Sequence, residues 1–189
     1  MSPFPRIHAF LSLAIGASLL GNLFSAQEKD PLFTAKQLGF DDFFAKPHEK
    51  PNAGKIAGTA FAEYRIGKLI VRFTESKFAA KREWTGYGVD GGSPETILSG
   101  LMISRPSGNY TLPDNMVTDL GNPNIERYRT RLKGKQLELA IVNGDGGHFV
   151  LYQIDLAQAK ARRYVREVIN DEFTRTHDWT ALTKVKKTK

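Results

Sequence analysis

The sequence contains no cysteine. Its absence excludes thiol catalysis, zinc–thiolate sites, cysteine-ligated iron–sulfur clusters and disulfides. It also excludes an anchor formed by a lipidated cysteine. The chain has 189 residues, a length at which one domain can be held together by core packing alone.

The common catalytic and nucleotide-binding motifs are also missing. His48-Glu49 is not followed by the second histidine of a zinc protease helix, and no G-x-S-x-G elbow occurs. Residues 54–59 have the letters of a phosphate-binding loop in the wrong order, and Gly86-Tyr87-Gly88 leads into no βαβ unit. We therefore predict no cofactor and no metal. A Ser-His-Asp triad stays open because its members can lie far apart in sequence.

No apolar run reaches the ~20 residues of a membrane-spanning helix, but a shorter run lies near the N-terminus. Arg6 precedes an apolar stretch from Phe10 to Gly21, which is followed by the small residues Ser25 and Ala26. This order is typical of a secretory signal peptide, predicted here as residues 1–26. Phe24 fits the cleavage pattern poorly, so an uncleaved N-terminal anchor is the alternative. In either case we expect an exported protein, secreted or periplasmic.

The chain is basic. It has 27 Lys and Arg residues against 20 Asp and Glu residues, a formal charge of +7 and a pI near 9.6. This balance favours anionic partners: an acidic glycan, a lipid, a membrane surface or an acidic protein. Export argues against nucleic acid. The charge says nothing about oligomeric state.

The region 125–169 shows the clearest structural pattern. Short runs rich in aliphatic and β-branched residues, 126–132, 136–142 and 148–154, are separated by the glycine-containing turns 133–135 and 143–147. This is typical of consecutive antiparallel strands. We predict a mainly β fold of about seven to nine strands over residues 55–183, an antiparallel meander forming a small barrel or sandwich. Strands are expected at 56–64, 69–74 and 96–104, with mostly loop at 110–123.

A short helical element is predicted before the β domain, in a helical lead-in and linker at residues 27–54. Thr34 and Asp41 are candidate helix N-caps, and the phenylalanines of this segment are expected to dock it on the body. The basic tail, residues 184–189, is expected to be frayed.

Residues 156–169 allow two interpretations. Apolar residues at helical spacing indicate a helix capped by Asp155, whereas Tyr164-Val165 and Val168-Ile169 favour a turn at 156–158 and a strand at 160–169. We favour the strand because the preceding chain is a run of hairpins.

The first candidate site is a basic face. Successive side chains of a strand alternate between faces, so Arg127, Arg129 and Arg131 are expected to point the same way. On a strand at 160–169, Arg162 and Arg166 would share a face with Tyr164 between them. Arginine binds carboxylate, sulfate and phosphate through a planar fork, and tyrosine adds a stacking surface. The alternative is a solvated face whose arginines pair with neighbouring glutamates, including Glu126, Glu138 and Glu167.

Two loops carry the other candidates. Trp84 and Tyr87 lie on a glycine-rich loop and could stack on sugar rings, or Trp84 is a core residue at a strand end. Asp145 and His148 could act as an acid–base pair or hold a metal, but their glycines also suit a hairpin loop.

The leading hypothesis is an exported, non-enzymatic binding protein of the cell envelope or secretome. It would hold an anionic glycan, lipid or protein on the Arg/Tyr face. The alternative is a small-ligand carrier or hydrolase, with its site in a barrel mouth or at Asp145/His148.

Overall fold

A computed structural model describes residues 31–45, 49–79, 83–89, 92–142, 148–167 and 171–186. The predicted signal segment and Asp145 lie outside these ranges. No helix within them has the length and apolar character needed to cross a membrane.

The described residues form two antiparallel six-stranded sheets that face each other across a shared core. Sheet I has the order β1 (Leu32–Thr34), β11 (Glu172–Ala181), β10 (Lys160–Glu167), β9 (His148–Asp155), β8 (Gln136–Val142) and β7 (Arg129–Lys133). Sheet II has the order β12 (Thr183–Val185), β6 (Gly108–Thr111), β5 (Thr96–Arg105), β4 (Leu69–Lys77), β3 (Thr59–Ile66) and β2 (Asn52–Ile56). A four-residue helix α1 (Ala35–Leu38) and the 3-10 turns Asp41–Phe43, Asp114–Met116 and Ile125–Arg127 complete the described elements. The prediction of a mainly β, antiparallel fold with a short N-terminal helix is confirmed.

The predicted meander is formed by β7, β8, β9 and β10, which pair in chain order. On β8, the inward side chains Leu137, Leu139 and Ile141 are buried between the sheets. Glu138 and Ala140 alternate with them and point to the outer face of sheet I. Because this alternation has the period of two that is typical of a strand, the sequence pattern predicted β8.

The two sheets meet at one corner and separate at the opposite side. A single residue, Leu182, joins β11 of sheet I to β12 of sheet II, and its amide N donates to the Ala159 carbonyl O at 2.8 Å. On the opposite side, β7 ends sheet I and β2 ends sheet II, and no pairing joins them among the described residues. The fold is therefore an open sandwich, and the barrel alternative, with its mouth, is wrong. We call this open side the seam.

Several strand boundaries differ from prediction. The strand expected at 56–64 is divided into β2 and β3 by a turn at Ala57 and Gly58, whose φ angles are 49° and 83°. Because alanine rarely adopts positive φ, Ala57 did not indicate a turn at this position. β6 lies partly inside the expected loop. The predicted count of seven to nine strands for residues 55–183 is confirmed, because nine strands, β3 to β11, lie wholly within that range. Three further described strands, β1, β2 and β12, lie outside it or extend beyond its ends.

The strand interpretation of 160–169 is confirmed for β10. The preceding turn is stabilised by Asp155, whose Oδ1 accepts hydrogen bonds from the amides of Ala157 (2.8 Å) and Gln158 (2.9 Å). Asp155 is thus a capping residue, but of a hairpin turn rather than of a helix. β10 pairs with β9 along its whole length. β10 also pairs with β11 on its other side. Pairing and packing on both sides stabilise the strand, so they decide the conformation of this segment against the helical spacing of its apolar residues.

The N-terminal segment, residues 31–45, begins with β1 at the edge of sheet I and then packs over the outer face of the same sheet. Thr34 caps α1 as predicted, with its Oγ1 accepting from the Gln37 amide at 3.2 Å, whereas Asp41 lies inside a 3-10 turn and makes no side-chain cap. Residues of the segment and of the sheet form a second buried cluster: Leu38, Phe40, Phe43, Ala140, Leu151, Tyr164 and Phe173.

The start of the basic tail also belongs to a sheet. Lys184 and Val185 pair with Tyr110 and Asn109 of β6. The expectation of a frayed tail is therefore wrong for residues 184–185. Backbone pairing at a sheet edge needs little side-chain signal, so a lysine-rich sequence did not reveal it.

Candidate functional site

Most residues of the predicted Arg/Tyr face share the outer face of sheet I. Arg129 and Arg131 lie on β7, and Arg162, Tyr164 and Arg166 lie at alternate positions of β10. Arg127 does not: it ends the 3-10 turn before β7, where its amide N donates to the Asn124 carbonyl O at 2.9 Å. The predicted strand began too early because the turn leaves no break in the polar/apolar alternation.

Arg131 is engaged in holding the chain together. Its Nε donates to Glu138 Oε2 at 2.7 Å and its Nη2 to the Gly39 carbonyl O at 3.0 Å, while its guanidinium lies 4.0 Å from the centre of the Phe43 ring. Glu138 is buried. The alternative interpretation, pairing with a neighbouring glutamate, therefore describes Arg131.

Tyr164 and Arg166 are covered by the N-terminal segment. The Tyr164 ring is buried and meets the Phe33 ring edge-on at 5.1 Å. The Arg166 guanidinium lies 4.4 Å from the Phe149 ring centre and 5.1 Å from that of Phe173. Its Nε is buried without a hydrogen-bond partner. These two side chains contribute to the packing of the segment on sheet I.

Arg162 lies on the part of the face outside the second cluster. Its Nε donates to Gln153 Oε1 at 2.8 Å, which fixes the plane of the guanidinium, and the Trp179 ring centre is 4.5 Å away. Among the described residues, its two terminal nitrogens have no hydrogen-bond partner. The Trp179 side chain is 39% exposed. We call Arg162 and Trp179, together with Arg175, which pairs with Tyr164 on the neighbouring strand, the Arg162–Trp179 patch.

Sequence reasoning missed Trp179 and Arg175. Their strand, β11, is mostly polar, and its register against β10 shifts twice around Arg163, where Arg163 faces His177 and Tyr164 faces Arg175. A bulge of this kind changes which side chains share a face. The available signal was a single tryptophan, Trp179, in a polar segment that also contains Thr174, Thr176 and Thr180.

Trp84 and Tyr87 lie away from this patch. The Trp84 ring packs edge-on against Phe78 at 5.1 Å, and its indole Nε1 is buried without a partner. The Tyr87 amide N donates to the Asp119 carbonyl O at 2.7 Å, and its ring lies 5.6 Å from the Arg163 guanidinium. Sugar binding by this loop stays a prediction.

A buried ion pair that the sequence did not reveal lies on the inner side of sheet I. Arg163, 1% exposed, donates from Nη1 and Nη2 to the two carboxylate oxygens of Asp119 at 2.5 and 2.6 Å. Its Nε donates to Thr176 Oγ1 at 2.8 Å, and its Nη1 also donates to the Met116 carbonyl O at 3.0 Å. Burial opposes the charge, but Asp119 outweighs it, so the pKa of Arg163 is raised. The guanidinium thus joins β10, β11 and the loop at 114–121.

His148 and His177 lie near this pair. His148 Nδ1 accepts from the Gly88 amide N at 3.1 Å, and its Nε2 is 4.0 Å from Glu167 Oε1. The pKa of His177 is lowered, first by burial and then by the Arg163 charge, with Asp119 opposing. In the ranges described, no group of three or more His, Asp or Glu side chains could hold a metal ion.

The lowered pKa of His177 predicts a pH-dependent stability. In the unfolded chain the imidazole gains a proton near its ordinary pKa of 6.5, before the folded chain does. Stability is therefore fully present above that pH and is lost as the pH falls through the lower folded pKa. We expect His177→Gln to reduce the loss of unfolding free energy between neutral and mildly acidic pH, measured by urea denaturation. Parallel curves for variant and wild type would contradict this role.

Comparison with protein families, curated proteins and solved structures gives no significant match. The class of protein is therefore defined by its architecture, an open antiparallel β-sandwich, and the functional argument rests on the geometry above.

Proposed function

We propose that the protein is an exported, non-enzymatic binding protein that holds an acidic glycan on the Arg162–Trp179 patch. The signal-like pattern of residues 1–26 and the formal charge of +7 support export and an anionic ligand. An anionic lipid or an acidic protein would meet the same basic face, and these partners are outcomes of the test.

The observation that carries the proposal is the arrangement of Arg162 beside an exposed indole. The Gln153 hydrogen bond and the Trp179 ring hold the guanidinium in one orientation, with its terminal nitrogens available. A planar fork of this kind binds a carboxylate or sulfate through two parallel hydrogen bonds. The half-exposed Trp179 offers a flat apolar surface for the face of a sugar ring.

The electrostatic surroundings favour an anion. Arg175 shares the outer face with Arg162, and its nearest carboxylate, Asp178, is 3.8 Å away and well exposed. Glu138, the buried carboxylate on the same face, is bound to Arg131. Because exposed ion pairs are worth only ~0–1 kcal/mol, a ligand anion can compete with Asp178 for Arg175.

The test is the affinity of the purified protein for polygalacturonate and heparin, with neutral dextran for comparison, over a range of salt concentrations. We expect Arg162→Gln and Trp179→Ala each to weaken binding about tenfold, equivalent to about 1.4 kcal/mol. The matched control is Arg65→Gln, which removes the same charge from an exposed position of β3 on sheet II.

Equal losses in Arg162→Gln and Arg65→Gln would show that only net charge matters and would overturn the patch as a site. Binding to anionic vesicles or to an acidic protein, but to neither glycan, would replace the glycan by that partner class.

A further inference from the structure

A row of polar side chains crosses four strands on the outer face of sheet I and ends at the Arg162–Trp179 patch. Arg131 of β7 pairs with Glu138 of β8. Glu138 pairs in turn with Gln153 of β9, which pairs with Arg162 of β10. Residues directly opposite each other on adjacent strands point to the same face, so the four side chains form one continuous row.

Glu138 lies in the middle of this row and is out of reach of a ligand. Its side chain is 4% exposed. Its Oε2 accepts from Arg131 Nε at 2.7 Å and lies 3.6 Å from Lys133 Nζ. Its Oε1 accepts from Gln136 Nε2 at 3.0 Å and from Gln153 Nε2 at 3.3 Å. Both carboxylate oxygens are therefore used within the fold.

The contact with Glu138 decides which way the Gln153 amide points. A side-chain amide accepts hydrogen bonds at its oxygen and donates them from its NH2 group, whereas a carboxylate only accepts. The NH2 group of Gln153 therefore faces Glu138, and its oxygen faces Arg162, whose Nε donates to it at 2.8 Å. In the reverse orientation the NH2 group would meet the Nε–H of Arg162, and two donors would face each other.

We propose that Glu138 is a positioning residue of the Arg162–Trp179 patch: it fixes the Gln153 amide, and the amide fixes the plane of the Arg162 guanidinium. The inference rests on the proposed binding function of that patch. A guanidinium that is held in advance loses less freedom when it binds an anion. The buried carboxylate thus favours the binding of a negatively charged ligand, although it carries the same sign of charge.

Glu138→Gln keeps the size of the side chain and changes one acceptor into a donor. Arg131 directs two donors at Oε2, so the oxygen of the new amide is expected to stay there and its NH2 group to face Gln153. The Gln153 amide then turns over and presents its own NH2 group to Arg162. We expect the affinity for polygalacturonate and heparin to fall about threefold to tenfold, because the guanidinium must then be ordered on binding.

Removal of a carboxylate by itself has the opposite effect, because it makes a basic protein more basic. The matched control is Glu63→Gln. Glu63 pairs with Arg72 on the outer face of sheet II and accepts from its Nε at 2.8 Å. This variant should bind both glycans as tightly as the wild type or more tightly. The two replacements change the net charge equally, so opposite effects on affinity separate positioning from electrostatics.

The Nε–H of Arg162 gives a readout that needs no ligand. Its ¹H–¹⁵N NMR signal is assigned by its disappearance in Arg162→Gln. The Nε proton should exchange slowly with solvent in the wild type and in Glu63→Gln. In Glu138→Gln it should exchange about tenfold faster, the factor expected for the loss of one hydrogen bond.

Two further variants test the direction of the hydrogen bonds. Glu138→Gln/Gln153→Glu moves the carboxylate one strand closer to Arg162 without changing the net charge. A carboxylate at position 153 accepts from both neighbours, so slow exchange of the Arg162 Nε proton should return. Gln153→Leu removes the amide and leaves Glu138 with Arg131, and it should give the same fast exchange even if Glu138→Gln does not fold.

The proposal is overturned if the Arg162 Nε proton exchanges at the wild-type rate in Glu138→Gln and Gln153→Leu, if the double variant does not restore slow exchange, or if Glu138→Gln binds the glycans as Glu63→Gln does. Failure of the proposed function is a different result, in which Arg162→Gln binds the glycans as the wild type does. Exchange that depends on Glu138 would then still support its role in positioning Arg162.

Discussion

Replacing Asp119 by alanine is expected to lower the free energy of unfolding by about 3–5 kcal/mol, because it leaves a buried charge without its partner. Arg163 is almost fully buried and directs both terminal nitrogens at the Asp119 carboxylate. Urea denaturation followed by tryptophan fluorescence measures the change.

A second replacement separates the buried charge from the lost contacts. Arg163→Met removes the charge and keeps an unbranched side chain in the core between Tyr152 and Thr176. Apolar replacements of buried ion pairs are often neutral or stabilising. The double variant Asp119→Ala/Arg163→Met should therefore be more stable than Asp119→Ala alone, by at least about 1 kcal/mol. An equal or larger loss in the double variant would contradict this expectation. It would mean that the hydrogen bonds of Arg163 to Thr176 and Met116 stabilise the fold by more than its unpaired charge destabilises it.

The exposed ion pair between Arg175 and Asp178, both on β11, is the matched control. Arg175 Nη1 and Asp178 Oδ1 are 3.8 Å apart at the surface. Asp178→Ala should cost only ~0–1 kcal/mol. Similar losses for Asp119→Ala and Asp178→Ala would contradict the interpretation that burial makes the Asp119–Arg163 pair important.

The sequence could predict the meander because burial and chain direction repeat together there. Leu137, Leu139 and Ile141 alternate with outward residues, and Gly134 lies in the turn between β7 and β8 with a φ of 59°. Such patterns are local, so they need no knowledge of distant partners. The short strands β1, β6 and β12 are held mainly by backbone pairing to their neighbours, which leaves no comparable pattern.

The candidate site was only partly predictable, for a physical reason seen in the pair Arg162-Arg163. Alternation places the two side chains on opposite faces but does not say which one is buried. Arg163 is accommodated in the core by Asp119, 44 residues earlier, and this partner is a property of the fold. The same holds for Arg166, which was expected on an open face and is covered by a segment more than a hundred residues away in sequence.

Phe40→Ala is the second replacement with a large expected effect. The buried Phe40 ring lies 4.8 Å from the Phe173 ring and 5.7 Å from the Phe149 ring, measured between centroids, and 5.9 Å from the Arg166 guanidinium. Truncating a buried phenylalanine costs about 3–5 kcal/mol, because apolar burial is lost and a cavity is left. We expect a loss of this size in urea denaturation.

Phe44→Ala is the control from the same segment. Its ring is 41% exposed and contacts Phe40 at 5.4 Å, so its removal leaves the sheet contacts of Phe40 in place. We expect a loss below about 1 kcal/mol, as for most exposed positions.

The two variants also decide whether residues 31–45 unfold together with the sandwich. If the segment belongs to the same cooperative unit, Phe40→Ala lowers the midpoint of one single transition and amide exchange in β8 to β11 accelerates with it. If the segment opens by itself, global stability is nearly unchanged, and cleavage by protease within residues 31–45 increases instead. Only the second outcome would make Tyr164 and Arg166 accessible while the sheets stay folded. Polyanion binding that rises in Phe40→Ala would then extend the binding face beyond Arg162 and Trp179, and binding that stays constant would limit it to them.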